Sequence, residues 1–244
     1  MSAPQGPSRA GVAQMFDRIA GRYDVANRVL SGGLDVRWRR RLLARLPQRD
    51  GLRVLDVATG TADLALALAR DPRVTDVVGV DVSAGMLAVG RDKVARDGLS
   101  GRITLTDGDA TDLSDYRGAF DVVTIAFGIR NVRDTVAGLR GMAKTLKPGG
   151  TLLVLEFAEP SAPVIADVYR AYRRHLLPRV GGLIAGDTSA YRYLDDTIKT
   201  FPAGEDFAQL VRDAGLIDVG FETMTFGAVQ LTWAHAPAQE MARA

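Results

Sequence analysis

The sequence has no cysteine and only two histidines, His175 and His235, far apart along the chain. Disulfides, thiolate metal sites and a cysteine nucleophile are thereby excluded, and a histidine-rich metal centre lacks ligands. No metal is expected. Long apolar runs are missing too: none reaches the roughly 20 residues that a membrane span requires. Residues 1–9 carry Pro, Gly and Ser without an apolar segment, so they read as a loose tail rather than a secretion signal. These absences, and a thiol-free composition that fits a reducing compartment, predict a soluble cytoplasmic chain. Net charge is also scarce, with Lys+Arg 31 against Asp+Glu 29 leaving +2. That excess is too slight to indicate nucleic acid as a partner, and none is expected.

What the chain does hold is alternation. Runs rich in β-branched residues at 53–57, 77–81, 103–105, 122–125 and 152–155 read as strands buried on both faces. Helical patterns lie between them at 63–70, 84–97 and 136–146. The last is stopped by Lys147-Pro148-Gly149-Gly150, which should turn the chain. This order predicts an α/β fold, a doubly wound and mostly parallel Rossmann-like sheet with helices on both faces. Residues 10–47 read as helical, with Arg37, Arg39, Arg40 and Arg41 around Trp38. Residues 158–204 carry no strand signal and are rich in Tyr, Arg, Pro and Gly. After a helix near 206–214, runs at 218–226 and 229–234 separated by Gly227 predict a hairpin and hence an antiparallel edge. With 244 residues, 47% hydrophobic and 25% charged, one domain over 1–244 is expected. Its parts are an N-terminal helical lid (1–47), a cofactor-binding core (51–157), a helical substrate cover (158–204) and a C-terminal helix and hairpin (205–235). Nothing in the sequence specifies an oligomeric state.

The first strand runs through Val57-Ala58-Thr59-Gly60-Thr61-Ala62-Asp63 into a helix. In doubly wound sheets, ligands bind at the carboxyl ends of the strands. Gly60 permits close backbone approach, and the helix behind it offers free N–H groups. A dinucleotide site needs three glycines to admit a pyrophosphate. Only Gly60 is present here, and Asp56 and Asp63 suit a cationic ligand better than a diphosphate. S-adenosylmethionine, which carries a sulfonium and an ammonium but no phosphate, is favoured over the nicotinamide cofactor of an oxidoreductase. Asp81 closes the next strand, where a carboxylate can accept from both ribose hydroxyls, and Val82 adjoins it. Met86 either walls the adenine or is helix core. Asp109 and Ala110 follow the third strand, and Asp109 serves either the adenine amino group or a surface turn. One nucleoside could span all three strand ends.

The segment from Leu55-Asp56-Val57 to Asp63-Leu64-Ala65 resembles the first motif of class I methyltransferases. Three further segments resemble the demethylmenaquinone and ubiquinone C-methyltransferase family. They are Tyr23-Asp24-Val25-Ala26-Asn27 with Ser31 and Trp38-Arg39, then Ala126-Phe127-Gly128-Ile129-Arg130-Asn131-Val132, then Leu146-Lys147-Pro148-Gly149-Gly150 leading to Leu155-Glu156-Phe157. Tyr191-Arg192-Tyr193-Leu194, Ile198 and Phe201-Pro202 follow in order, so the resemblance spans about residues 16–233. It implies cofactor contacts at Thr61, Asp81, Asp109, Ala110 and Ala126. The chain departs at two neighbourhoods: Ala62 stands where glycine is usual, and Ala126 where serine is common. Leu34-Asp35-Val36 lacks a histidine seen in some relatives, so no catalytic histidine is assigned. The implied acceptor is a polyprenyl quinol, demethylmenaquinol first, with a benzoquinol of ubiquinone synthesis or another small molecule as alternatives.

Methylating a ring carbon needs an electron-rich ring, which a quinol supplies once a hydroxyl loses its proton. The protein must align donor and acceptor, exclude water and favour the phenolate. Arg130, with Asn131, is the candidate catalytic pair. A guanidinium stays protonated, so Arg130 stabilises the phenolate, orients a water, or merely pins loop carbonyls. Tyr23 and Asp24 either sit on a lid over the site or serve helix packing and capping. No proton acceptor is identified. Tyr169, Tyr172, Leu176, Leu177 and Pro178 mix with Arg170, Arg173, Arg174 and Arg179. That mixture suits peripheral contact with anionic lipid at the inner membrane face, above a prenyl tail, or a solvated basic face.

Overall fold

The β-branched runs form a seven-stranded sheet of order β3-β2-β1-β4-β5-β7-β6 in a computed structural model that describes residues 9–160 and 162–238. The expected N-terminal tail lies, but for Arg9, outside the described residues. β1 (Leu52–Val57), β2 (Val74–Asp81), β3 (Ile103–Asp107), β4 (Phe120–Ala126) and β5 (Leu146–Phe157) pair in parallel. Side chains alternate across the sheet: Leu55, Val57, Val123 and Ile125 join one core, and Leu52, Val54, Val122 and Leu153 join the other. Two covered faces explain why these strands read as continuous apolar runs rather than alternating ones.

α3 (Asp63–Ala69), α4 (Ala84–Arg96) and α5 (Thr135–Thr145) connect the strands. Ser83 caps α4, its Oγ accepting from the Met86 N–H at 3.1 Å, and Asp134 caps α5 through the Ala137 N–H at 2.9 Å. Chain order reverses between β1 and β4, so a crevice opens above their carboxyl ends. The loops there are strained, with Ala58 (φ 53), Ala62 (φ 65) and Phe127 (φ 58) in the left-handed region. Glycine adopts the Ala62 conformation without cost, which accounts for the residue usual at that position.

One boundary expectation is corrected. Lys147-Pro148-Gly149-Gly150 belongs to β5, where a register irregularity opposite Phe120 and Val122 absorbs the extra residues. The expected hairpin of β6 (Ile217–Met224) and β7 (Val229–His235) forms and closes one edge of the sheet with antiparallel pairing. β7 inserts beside β5, antiparallel to both neighbours, and the edge strand β6 therefore runs with the parallel set.

The N-terminal segment supplies α1 (Arg9–Leu30) and α2 (Leu34–Leu43). Residues 163–200 form α6 (Pro163–Ala171), one π-helical turn (Tyr172–Leu176), α7 (Leu177–Ala185) and α8 (Thr188–Thr200), and α9 (Glu205–Asp213) precedes the hairpin. Ile19, Ala20 and Ala26 of α1 pack with Met86, Leu177 and Ala190, drawing α1 between α4 and the cover helices. α1 also donates a cap to the core: Asp17 Oδ1 accepts from Ser83 Oγ at 2.6 Å and the Gly85 N–H at 2.8 Å.

Candidate active site

Two cavities meet above the switch point, and Tyr23 and Phe127 line both. The first, about 470 Å³, opens at the ends of β1, β2 and β4. Of the expected cofactor residues, Gly60, Asp81, Val82, Met86, Asp109, Ala110 and Ala126 line it, with Asn131. The Gly60 N–H donates to Asp81 Oδ2 at 2.8 Å and the Ser83 N–H to Oδ1 at 2.9 Å, so the carboxylate is held rigidly facing the crevice. Burial pushes the Asp81 carboxyl up from its ordinary value. Asp109 both lines the cavity and makes an Asx turn, its Oδ1 accepting from the Thr111 N–H at 2.9 Å.

Asp56, Thr61 and Asp63 do not line this cavity, which corrects the charge argument built on two of them. Thr61 Oγ1 donates to Asp24 on α1, and Lys93 Nζ donates to Asp24 Oδ2 at 2.7 Å and to Asp63. These groups therefore tie the N-terminal helices to the core. The acidic lining comes instead from Asp81, Asp109 and Asp134, with Arg133 the cation among the described lining residues. A wall of carboxylates and close-approach glycines fits a cationic nucleoside and opposes a diphosphate.

Asp56 is a buried brace. It accepts from Thr59 Oγ1 and Thr124 Oγ1, each at 2.7 Å, tying the loop after β1 to β4. Burial pushes its carboxyl up to about 6 from an ordinary 3.8. The folded chain therefore binds a proton more tightly than the unfolded one, so stability is lost as pH rises from about 4 to about 6. Denaturant unfolding of wild type and Asp56→Asn should show a difference that changes by up to roughly 3 kcal/mol over that window. The variant should be the flatter of the two; equal pH profiles would assign Asp56 an ordinary acidity.

The crevice is also tight. A Cβ on Gly128 would lie 2.6 Å from Ala58 Cβ, between the loops after β1 and β4. Gly128→Ala should cost about 1–3 kcal/mol in thermal unfolding by overpacking. Cofactor affinity by calorimetry should drop at least tenfold; an unchanged Kd would mean the loops yield freely.

The second cavity, about 410 Å³, is floored by aromatic rings. Phe127 and Phe157 have centroids 4.5 Å apart, and Trp38 meets them edge-on at 5.9 and 6.2 Å. Arg130 lines this cavity. Its Nη1 donates to Glu156 Oε1 at 2.6 Å and to the Phe127 carbonyl at 2.5 Å. Asn131 Oδ1 accepts from Tyr193 Oη at 2.9 Å. Burial raises the Tyr23 hydroxyl above its ordinary acidity constant. Val12 and Phe16, which line the first cavity from α1, and Glu156, the penultimate residue of β5, carry no ligand signal of their own in the sequence.

A family model described as the ubiE/COQ5 methyltransferase family matches residues 5–236. A Geobacter sulfurreducens protein named ubiquinone/menaquinone biosynthesis C-methyltransferase UbiE is 45% identical over 88% of this chain and 84% of its own length. A Bacteroides fragilis demethylmenaquinone methyltransferase is 40% identical over 91% of each. A solved Haemonchus contortus phosphoethanolamine N-methyltransferase 2, in complex with phosphomonomethylethanolamine and S-adenosylhomocysteine, aligns with TM-score 0.65 and 19% identity. It covers 87% of this chain and 57% of that one, a likeness of fold alone.

Proposed function

This chain belongs to the ubiE/COQ5 methyltransferase family, and from that premise we propose that it methylates a ring carbon of demethylmenaquinol in menaquinone biosynthesis. The activity is that of an S-adenosylmethionine-dependent C-methyltransferase. The observation that carries the substrate reading is the meeting of an acidic cavity with an aromatic one at Tyr23 and Phe127. A sulfonium suits the first and a flat, electron-rich ring the second. Bound in the first cavity, S-adenosylmethionine supplies an activated methyl group. The chain's part is to hold Asp81 ready for the ribose, to shield the junction from water with Tyr23 and Phe127, and to present the Arg130 charge to the ring oxygen.

Radiolabelled S-adenosylmethionine with reduced demethylmenaquinone is the test. Label in menaquinone supports the reading. Label only in a methoxybenzoquinol would move the chain to ubiquinone synthesis, and label in neither would leave a methyltransferase of another small molecule.

The membrane contact is proposed in a changed form. Arg173, expected on a lipid-facing basic surface, is wholly buried between Asp195 and Glu159, and Arg170 pairs with Asp167 at 2.6 Å. What the second cavity offers outward is apolar: Val168 and Phe226 line it while remaining 67% and 78% exposed. Among the described residues, no helix is long and apolar enough to cross a membrane. Val168→Glu with Phe226→Glu should weaken liposome sedimentation about thirtyfold or more, at roughly 1 kcal/mol or more for each lost apolar contact. Unaltered sedimentation would remove the rim from the interface.

A further inference from the structure

The turn Ile129–Asn131 after β4 is a wall shared by the two cavities: Arg130 lines the aromatic one and its neighbour Asn131 the acidic one. Helix α8 of the cover reaches both. Its Ile198 lines the aromatic cavity, and its Tyr193 donates from Oη to Asn131 Oδ1 at 2.9 Å. Among the described residues, this is the one hydrogen bond from the cover helices to a loop after β1, β2, β3 or β4. The others, from Tyr172 Oη to the Leu30 carbonyl and from Arg18 to Asp187, go to α1. Tyr193 is half-buried, and burial pushes its hydroxyl up from its ordinary value against the pull of the Arg130 charge. It therefore stays protonated and donating at neutral pH. An asparagine amide carries one accepting oxygen and one donating NH2. With the oxygen held by Tyr193, the NH2 is left for a ligand, and among the described residues nothing accepts from it. A free amide would turn either way; a held one presents a donor.

We propose that Tyr193 is a positioning residue that couples the substrate cover to the cofactor site. By holding Asn131 Oδ1 it fixes the amide NH2 for the cofactor, and the cofactor in turn fixes α8 against the acceptor cavity, so that the two substrates bind cooperatively. Either ligand steadies the same turn, so the second to arrive meets a wall already ordered. Linkage makes the gain in affinity equal in both directions. The cooperativity rests on the quinol reading of the aromatic cavity; the link between cofactor and α8 does not.

The test is hydrogen exchange of the full chain, with and without saturating S-adenosylhomocysteine, in wild type, Tyr193→Phe, Asn131→Ala and the double variant. Tyr193→Phe removes the hydroxyl and keeps the ring; Asn131→Ala cuts the same bond from the other side. None of the described residues of α8 lines the cofactor cavity. In wild type the ligand should nevertheless slow exchange over residues 188–200 by about fivefold or more. Each single variant should show less than about twofold there, and the double variant no further loss. Protection of α4, whose Met86 lines the cofactor cavity, should be the same in every protein. Helix α8 protected alike in wild type and Tyr193→Phe, or unprotected in wild type, would overturn the link. Loss of α4 protection together with that of α8 would make Tyr193 general packing and overturn it equally. Anaerobic titration with 1,4-dihydroxynaphthalene reads the cooperativity. S-adenosylhomocysteine should tighten diol binding about fivefold or more in wild type and less than about twofold in Tyr193→Phe. Equal diol affinity with and without it in wild type would overturn the cooperativity. If the diol did not bind at all while α8 was protected, the quinol reading would fall and the link would stand.

Discussion

Asp81→Ala is expected to weaken S-adenosylmethionine binding by about 10²- to 10⁴-fold, the largest loss of affinity from any single change in the crevice. If Asp81 accepts from both ribose hydroxyls, as proposed, two charge-assisted hydrogen bonds of roughly 1.5–3 kcal/mol each vanish together. The Gly60 and Ser83 N–H groups, now donating to Asp81 at 2.8 and 2.9 Å, lose their acceptor as well. The loop after β1 should loosen, and Tm without cofactor should fall, by an unfolding cost of about 1–3 kcal/mol. Asp81→Asn is the sharper control. It keeps one acceptor oxygen but turns an NH₂ toward a backbone N–H, so affinity should fall nearly as far. Because burial raises the Asp81 carboxyl, wild-type affinity should decline on acidification at a higher pH than an ordinary carboxylate would give. Calorimetry across pH reads both effects. A loss under threefold in Asp81→Ala would separate Asp81 from the cofactor.

The legible parts of this molecule are those whose signal is local. Strands covered on both faces must be apolar throughout, so β1, β2 and β4 were found within a few residues, and their acidic and glycine ends marked the crevice. What escaped depends on partners distant in sequence. Asp56 and Asp63 look alike as acidic flanks of one motif, yet Asp56 is buried against two threonine hydroxyls, its carboxyl pushed up to about 6, while Asp63 faces Lys93. Gly227 announces a hairpin, but no local feature says that its second strand enters between β5 and β6. Arg173 reads as one more surface arginine among four, because burial on a π-helical turn leaves no mark in spacing. Arg130 stands out within its motif, whereas its counter-ion Glu156 lies at the end of β5 and shows only as part of a separate motif.

That buried pair carries the second large effect. Glu156 is 3% exposed and Arg130 9%. Arg130→Ala would leave the buried Glu156 Oε1 without its 2.6 Å partner, a destabilisation of about 3–5 kcal/mol. The same variant should lose at least 10²-fold in kcat if the guanidinium stabilises the phenolate, but an enzyme so destabilised cannot apportion the loss. Arg130→Lys can. An ammonium keeps the charge beside Glu156 and should hold unfolding within about 2 kcal/mol of wild type, yet it lacks the other N–H groups of the planar guanidinium, free to serve the ring while Nη1 holds Glu156 and the Phe127 carbonyl. If Arg130 acts on the ring, Arg130→Lys should fold with a near-native Tm, bind S-adenosylmethionine normally and still lose about 10²-fold in kcat. Raising the pH, which favours the phenolate without help, should recover part of that loss. If Arg130 is instead a pin for the loop after β4, kcat should follow Tm across Arg130→Lys, Arg130→Ala and Glu156→Gln, with no recovery at high pH. The buried Glu156 makes the two roles separable: it fixes the stability cost of losing the charge, so any loss of rate beyond it belongs to the chemistry.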